Sequence, residues 1–457
     1  MQYDRLLLTD PEQLIFGAAP CPVETERGLI IGGGRVYPEI NFTLPTMEVS
    51  SDTLGEMRSQ YEEIVEDVLE RAVRLNSRGL VIEFETLLEM TKEPDLGVEL
   101  LQAMNEICER YYQKHGLATE IRLTPNDLRE FDRPPKQRTS SYLEPMFELF
   151  DRGAKAGGTL LSIESTGGKE ISDDALMMCD ITQFIFSQSV LGVNDMRFLW
   201  SKITEIAETN DAIAGGDTAC GFGNTAMVLA EKEYIPKIFA AIARIATVLR
   251  TLICIEEGAT GPDKDCGYEG PFLKAITGIP ISMEGKTAAC AHLSPVGNVA
   301  AAAADLWSNE SVQNVKLLSG WAPVAYYEQL EYDVRLMNEA REAGREETLT
   351  LQRLLVHSDI RYDPQALILA PENVIRIASQ IIKGTNYIEA SVLGCLAGLD
   401  IIREALDNDT LKIEEKELMY IDILQNDLEN IPLDESAFIE QMLPAVEDKI
   451  FPEEYGL

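Results

Sequence analysis

Three glycine-flanked side chains of this sequence are of types that bind metal ions. Glu164 precedes a Gly-Gly pair, Cys220 lies between glycines on both sides, and Cys266 is followed directly by a glycine. Glycines leave a neighbouring sulfur approachable and let the backbone bend around a ligand. Two thiolates and one carboxylate can hold zinc with a fourth position open for substrate, as catalytic zinc requires. The set is a zinc-site hypothesis that depends on the fold, because no local motif such as CxxC or HExxH marks it.

Other catalytic groupings are missing from the sequence. There is no GxSxG or Walker motif, and none of the three histidines lies in a Ser/His/Asp or paired metal pattern. His292 is the one histidine that we treat as a candidate for function. Cys254 lies twelve positions before Cys266 and is the alternative third ligand, although its apolar surroundings favour a core thiol.

The elements that must position these residues alternate between short β-branched runs and longer helical patterns. Eight such runs occur, over residues 79–86, 118–123, 159–166, 182–190, 211–218, 252–258, 279–285 and 315–320. Eight strands with intervening helices predict a (β/α)8 TIM-type barrel, with a doubly wound open sheet as the alternative. In a barrel the active site lies at the carboxyl ends of the strands, which is where Glu164, Cys220 and Cys266 are expected.

The chain divides into three predicted parts. Residues 1–75 are an irregular N-terminal lead-in and a helix, residues 76–330 are the barrel with the zinc site, and residues 331–457 are a helical C-terminal extension. The Gly-Gly-Gly run at residues 32–34 lacks the spacing of a dinucleotide fingerprint.

Four carboxylates at predicted strand ends are candidate proton donors. They are Glu85, Asp217, Glu257 and Glu284. A strand-end carboxylate in an acidic chain is more often structural or solvated, so the sequence does not choose among them.

The charge of the chain limits its partners. Its 457 residues contain 39 Lys and Arg against 77 Asp and Glu, a formal net charge of −38. Because such an acidic surface repels phosphate backbones and anionic lipid, we expect no nucleic-acid or membrane partner.

The sequence also points to the cytoplasm. No secretory signal is visible at the N-terminus. The apolar region 234–255 is interrupted by Lys237, Arg244 and Arg250, which predicts a core helix running into a strand. The eight cysteines form no compact framework and are expected to be thiols.

The segments LLSIESTGGKE, GGDTACGFGNTA and GPDKDCGYEGP resemble those of the zinc-containing methanol:corrinoid methyltransferase subunits of methanogens and acetogens. The resemblance covers essentially the whole chain. It implies a (β/α)8 barrel whose zinc is held by Glu164, Cys220 and Cys266. It also implies a partner, a corrinoid protein that delivers Co(I) to the mouth of the barrel, and a homodimer within a larger complex.

The implied reaction is transfer of the methyl group of methanol to Co(I), with zinc polarising the methanol oxygen. The small residues Gly221 and Gly223 would let the corrinoid ring approach. Two other functions stay open: a zinc corrinoid methyltransferase for another donor, a methylamine or a methoxyaromatic, and a non-catalytic scaffold for a corrinoid protein. An acid/base barrel that uses paired carboxylates is a more distant alternative.

Overall fold

The computed structural model describes residues 3–43, 47–264, 266–287, 292–311, 316–317 and 320–457. Its strands are β1 Ala18–Glu24, β2 Ile30–Gly33, β3 Tyr37–Phe42, β4 Gly79–Glu85, β5 Ala118–Thr124, β6 Leu160–Ile163, β7 Ile213–Asp217, β8 Ser282–Glu284, β9 Leu306–Ser311, β10 Lys316–Leu317 and β11 Gly320–Trp321. Its helices before the eighth strand are α1 Leu54–Arg74, α2 Leu88–Lys92, α3 Pro94–His115, α4 Leu143–Lys155, α5 Lys169–Met178, α6 Ile181–Phe186, α7 Val193–Thr209, α8 Cys220–Glu231, α9 Lys237–Glu256 and α10 Gly270–Thr277. The later helices are α11 Ala322–Ala343, α12 Arg345–Asp359, α13 Pro364–Ile368, α14 Pro371–Ile381, α15 Tyr387–Asp407, α16 Glu415–Glu429 and α17 Glu435–Val446.

Seven of these strands form one parallel sheet in the order β7-β6-β5-β4-β3-β9-β8. The segment 259–263 lies between its two edge strands. Thr260 N donates to Ala214 O of β7 at 2.9 Å, and Asp263 N donates to Pro280 O, just before β8, at 3.4 Å. The sheet therefore curls into a TIM-type barrel whose eighth position is filled by a segment without strand pairing. The predicted fold class is confirmed.

Five of the eight predicted runs are strands of this sheet: 79–86, 118–123, 159–166, 211–218 and 279–285. Parallel strands are buried on both faces and read as apolar runs, which is why these were recognisable.

Two predicted strands are wrong, because both runs are helical. Residues 182–190 lie in α6 and in the π-helix Ser187–Gly192 that follows it, and residues 252–256 are the last turn of α9. Every residue from Ile238 to Cys254 of α9 is buried. A helix buried on all sides has no polar face, so its sequence cannot be distinguished by periodicity from a buried strand.

The eighth predicted run, 315–320, does not join the sheet where it is described. β10 and β11 pair with each other as an antiparallel hairpin, and residues 315, 318 and 319 lie outside the described residues. The sheet contains β3 and β9 instead. β3 lies within residues 1–75, the lead-in predicted to be irregular, so this part of the lead-in is instead an ordered strand of the barrel.

The polar interior of the barrel explains why β3 was missed. Arg122 of β5, itself fully buried, donates to Glu39 Oε1 of β3 at 2.5 Å and to Ser162 Oγ of β6 at 2.8 Å. Ser282 Oγ of β8 donates to Glu39 Oε2 at 2.5 Å. Buried charges persist only when they are paired and hydrogen-bonded, so Glu39 makes an interior strand look like a polar loop.

α9 is the central helix of the layer outside the barrel. Ile245 packs so closely on α15 that a Cβ on Gly398 would lie 2.3 Å from its Cδ1. α9 is long and apolar enough to cross a membrane, with a mean hydropathy of 2.0, but 94% of that stretch is buried inside the protein. It is therefore the core helix that the sequence predicted, without the strand that was expected to follow it. From Ala322 onwards every element in the described part of the chain is helical.

Candidate metal centre

The three predicted ligands lie together at the carboxyl ends of the strands. Glu164 directly follows β6, Cys220 is the first residue of α8 after β7, and Cys266 lies in the loop that follows the segment 259–263. Their ligand atoms all lie within 4.8 Å of one another, and Cys266 Sγ is 3.1 Å from Glu164 Oε1. Residues about fifty positions apart in the sequence thus form one compact donor set.

The atoms of this set are of types that can bind a cation. Burial raises the pKa of the Cys266 thiol well above its ordinary value, and the neighbouring Cys220 and Glu164 raise it further. The ammonium of Lys264 lies 3.4 Å from Glu164 Oε1 but also 2.5 Å from Glu83 Oε1, so two carboxylates share it. Thiolate and carboxylate donors suit zinc, and a divalent cation favours the deprotonated thiols that bind it. The residues present therefore fit a zinc ion.

Asp217 joins the loop that carries Glu164 to the loop that carries Cys220. Its Oδ1 accepts the N–H groups of Ser165 at 3.1 Å and Thr218 at 2.8 Å, and its Oδ2 accepts Trp200 Nε1 at 2.8 Å. The side chain is fully buried, and burial raises the pKa of its carboxyl to about 6 against the lowering effect of Arg250. Asp217 was predicted as a possible proton donor, but in the structure its carboxylate accepts hydrogen bonds that hold the two loops together.

Two further buried carboxylates, Asp127 and Asp195, hold the turn after Glu164. Thr166 N and Oγ1 donate to Asp127 Oδ2 at 2.9 and 3.0 Å. The guanidinium of Arg129 lies between Asp127 and Asp195, and all three residues are buried. A Cβ on Gly167 would lie 2.2 Å from Asp195 Oδ2, so only glycine fits at this position.

Glu269 and Arg244 hold the two cysteine loops, and neither was found from the sequence. Glu269 Oε1 accepts Ala219 N at 2.6 Å and Thr251 Oγ1 at 2.9 Å. A Cβ on Gly267 would lie 1.8 Å from Glu269 Oε2, which explains the glycine beside the cysteine. Arg244 donates to the carbonyl oxygen of Gly267. Arg244 is one of the charged residues that interrupt the apolar region 234–255, and that interruption was the available signal.

The remaining candidates occupy different places. Glu284 ends β8, is buried and accepts the Tyr268 hydroxyl at 3.1 Å, and His292 Nε2 lies 3.7 Å from its Oε1. Glu257 does not end a strand, since it follows α9 and precedes the segment 259–263, away from the carboxyl ends. Cys254 is fully buried in the core face of α9, as the sequence predicted.

A cavity of about 370 Å³ opens beside the donor set. Glu85, Glu164, Lys169 and Gly221 are among the residues that line it, and Glu85 Oε2 accepts Asn41 Nδ2 at 2.9 Å. This volume is that of a site for a sizeable ligand and far exceeds what a one-carbon substrate needs.

The two glycines predicted to face a corrinoid have different surroundings. Gly221 lines the cavity, and a Cβ there would contact only the aliphatic part of Lys169, at 3.5 Å. Gly223 is buried, and a Cβ there would lie 3.4 Å from Arg244 Nη1 and 3.5 Å from the carbonyl oxygen of Gly267. Gly223 therefore permits close packing of α8 and is not part of the cavity lining.

Comparisons with known proteins match this chain over its whole length. The family described as methanol-cobalamin methyltransferase B subunit matches residues 1–456. A methanol–corrinoid protein co-methyltransferase of Methanosarcina barkeri is 35% identical over 462 residues, covering 100% of this chain and 99% of that protein. A chain in the crystal structure of the methanol:cobalamin methyltransferase complex MtaBC from the same organism superposes with a TM-score of 0.95. The two chains are 34% identical, and the match covers 100% of this chain and 99% of that one.

Proposed function

The chain belongs to the family of methanol-cobalamin methyltransferase B subunits, and from that membership we propose that it moves the methyl group of methanol to a corrinoid protein at a zinc ion held by Glu164, Cys220 and Cys266. The membership makes the chain a methyltransferase. The observation that supports the zinc site is the donor set itself, two sulfurs and a carboxylate oxygen within 4.8 Å of one another at the carboxyl ends of barrel strands.

The three ligands prepare the site for a poor substrate, because hydroxide is a poor leaving group. A bound zinc ion supplies Lewis-acid polarisation of the methanol oxygen. Glu164, Cys220 and Cys266 would hold the ion, and two thiolates and a carboxylate against Zn²⁺ would give a formal charge of −1, which would weaken its Lewis acidity. The ammonium of Lys264, 3.4 Å from Glu164 Oε1, offsets part of this negative charge.

The departing oxygen also needs a proton. Of the four predicted donors, Glu85 lines the cavity beside Glu164, whereas Asp217, Glu257 and Glu284 do not. A carboxyl at the cavity wall can deliver a proton to a substrate held at the metal, while the three bonds that Asp217 accepts commit it to the loops. We assign the proton-donor role to Glu85.

The cavity suits a large second substrate. The Methanosarcina relative is named for a corrinoid protein, and the solved relative is part of a methanol:cobalamin methyltransferase complex. On this proposal a corrinoid protein covers the mouth of the barrel and brings its cobalt to the cavity beside Glu164. Gly221, which has no side chain, leaves space for it at the cavity wall. A homodimer of this chain within a larger complex remains part of the proposal.

The test follows methyl transfer from methanol to free cob(I)alamin through the loss of Co(I) absorption. The protein is analysed for metal before chelation, after it, and after zinc is restored. Transfer that disappears on chelation and returns with zinc is the expected result.

Monomethylamine and a methoxylated benzoate serve as competing donors in the same assay. Transfer from one of these but not from methanol would overturn the choice of donor. Zinc-independent transfer would overturn the metal's role, and no transfer from any donor, even with a corrinoid protein supplied, would favour the scaffold function.

A further inference from the structure

Asn224 contacts both cysteines of the donor set. It lies one helical turn after Cys220 on α8, so the two side chains share a face of the helix. Its Nδ2 is 3.4 Å from Cys220 Sγ and 2.5 Å from the backbone oxygen of Cys266. Both neighbours are acceptors, so the amide presents its two N–H groups to the two cysteines.

Packing does not explain an amide at this position. Asn224 is 3% exposed, and its helix neighbours Phe222, Ala226 and Met227 are buried in the apolar core. Its Oδ1 has no hydrogen-bond partner among the residues that the structure describes. An unsatisfied buried acceptor destabilises the fold, so an apolar side chain of similar size would fill the space at less cost.

We propose that Asn224 is a positioning residue of the zinc site, a role that rests on the proposed function. Its bond to Cys220 Sγ draws negative charge from the sulfur, and its bond to the Cys266 backbone sets the distance between the two cysteine loops. In a site with a formal charge of −1, weaker sulfur donation leaves more positive charge on the metal for the methanol oxygen. Asn224 thereby offsets part of the loss of Lewis acidity that two thiolate ligands cause.

The test uses Asn224→Leu and Asn224→Ala in the full chain, loaded with Co²⁺ for absorption and with Zn²⁺ for affinity. The matched controls are Asn373→Leu and Asn373→Ala, since Asn373 is also a buried helical asparagine and donates its Nδ2 to the Leu367 oxygen at 2.8 Å. Loss of the N–H···S bond makes the sulfur a stronger donor, so the sulfur-to-Co²⁺ charge-transfer band should move to lower energy. Because the bond to the Cys266 oxygen is lost as well, the two cysteine loops are no longer held at their spacing, and competition with a chromophoric chelator should show zinc binding weakened by about 10- to 100-fold despite the stronger sulfur donor. The Asn373 variants should keep the wild-type band and affinity.

A merely structural role would not move the charge-transfer band. Asn224 variants with the wild-type band and zinc affinity within twofold of the Asn373 controls would overturn the inference. If the Asn224→Leu variant does not fold, the Asn224→Ala variant is used for the test. The wild-type protein tests the proposed function separately: if it transfers methyl groups from methanol in a zinc-dependent way while the Asn224 variants match the controls, only the role of Asn224 fails.

Discussion

The buried carboxyl of Asp217 gives a stability prediction that can be worked out from the structure. Burial raises its pKa to about 6 from an ordinary 3.8. The folded protein therefore binds this proton more tightly than the unfolded chain does. The stability that the group contributes is fully present below the unfolded pKa and is lost as the pH rises through about 6.

The perturbation is Asp217→Asn, which removes the titration. Relative to acid pH, where the carboxyl is protonated in both states, the raised pKa lowers the free energy of unfolding by about 1.6 kcal/mol at pH 5 and by about 3 kcal/mol at pH 8. The variant also turns an amide N–H toward one of the donors Ser165, Thr218 or Trp200, which costs about 1 to 3 kcal/mol at every pH. That second cost is constant, so it cancels when the two proteins are compared across pH. The wild type should lose about 1.4 kcal/mol relative to the variant between pH 5 and pH 8.

The assay is thermal unfolding of both zinc-free proteins over this pH range, because a bound cation would itself shift the carboxyl. A chain of this length changes its Tm by roughly 1 °C per kcal/mol. The Tm of the variant minus that of the wild type should therefore rise by about 1.5 °C from pH 5 to pH 8. A difference that stays flat within about 0.5 °C would refute the raised pKa. A depressed pKa, with the guanidinium of Arg250 outweighing burial, would also leave the difference flat, because the folded and the unfolded carboxyl would then both be ionised from pH 5 upwards.

Three further outcomes follow from the proposed site. Cys220→Ser or Cys266→Ser should lower zinc content and methyl transfer together, with a rate loss of about 10³-fold if zinc supplies about 4 kcal/mol, whereas Cys254→Ser should lower neither. Metal analysis and the cob(I)alamin assay measure the two quantities, and a Cys254 that proves essential would contradict the ligand set. Gly221→Val should retain zinc yet impair transfer to the corrinoid protein, because the new side chain narrows the cavity, and full activity would count against the cavity's role. Glu85→Gln should retain zinc and lower kcat by about 10²- to 10⁴-fold, whereas an unchanged kcat would leave the proton donor to another group.

The predicted strands show how far local patterns reach. Runs such as 79–86 and 118–123 were recognisable because β-branched residues bounded by turns form strands buried on both faces. The runs 182–190 and 252–256 are also rich in apolar residues but lie in helices, and because most of their residues are buried, no polar face reveals the helical period. β3 shows the opposite case. Its Glu39 is buried and hydrogen-bonded inside the barrel, so a polar residue lies within a buried strand and the sequence does not look like one.

By itself, the sequence predicted a barrel and selected a candidate donor set, with a doubly wound sheet and Cys254 left as the alternatives. Glu164, Cys220 and Cys266 stand out because a metal needs particular atom types and because glycines beside them free the backbone, and both features are local. Only the tertiary structure decided what holds them. The amide of Asn224 and the carboxylate of Glu269 act across loops brought together from distant parts of the chain. Their hydrogen bonds depend on distances of a few ångströms in three dimensions, and spacing along the sequence carries no record of such distances.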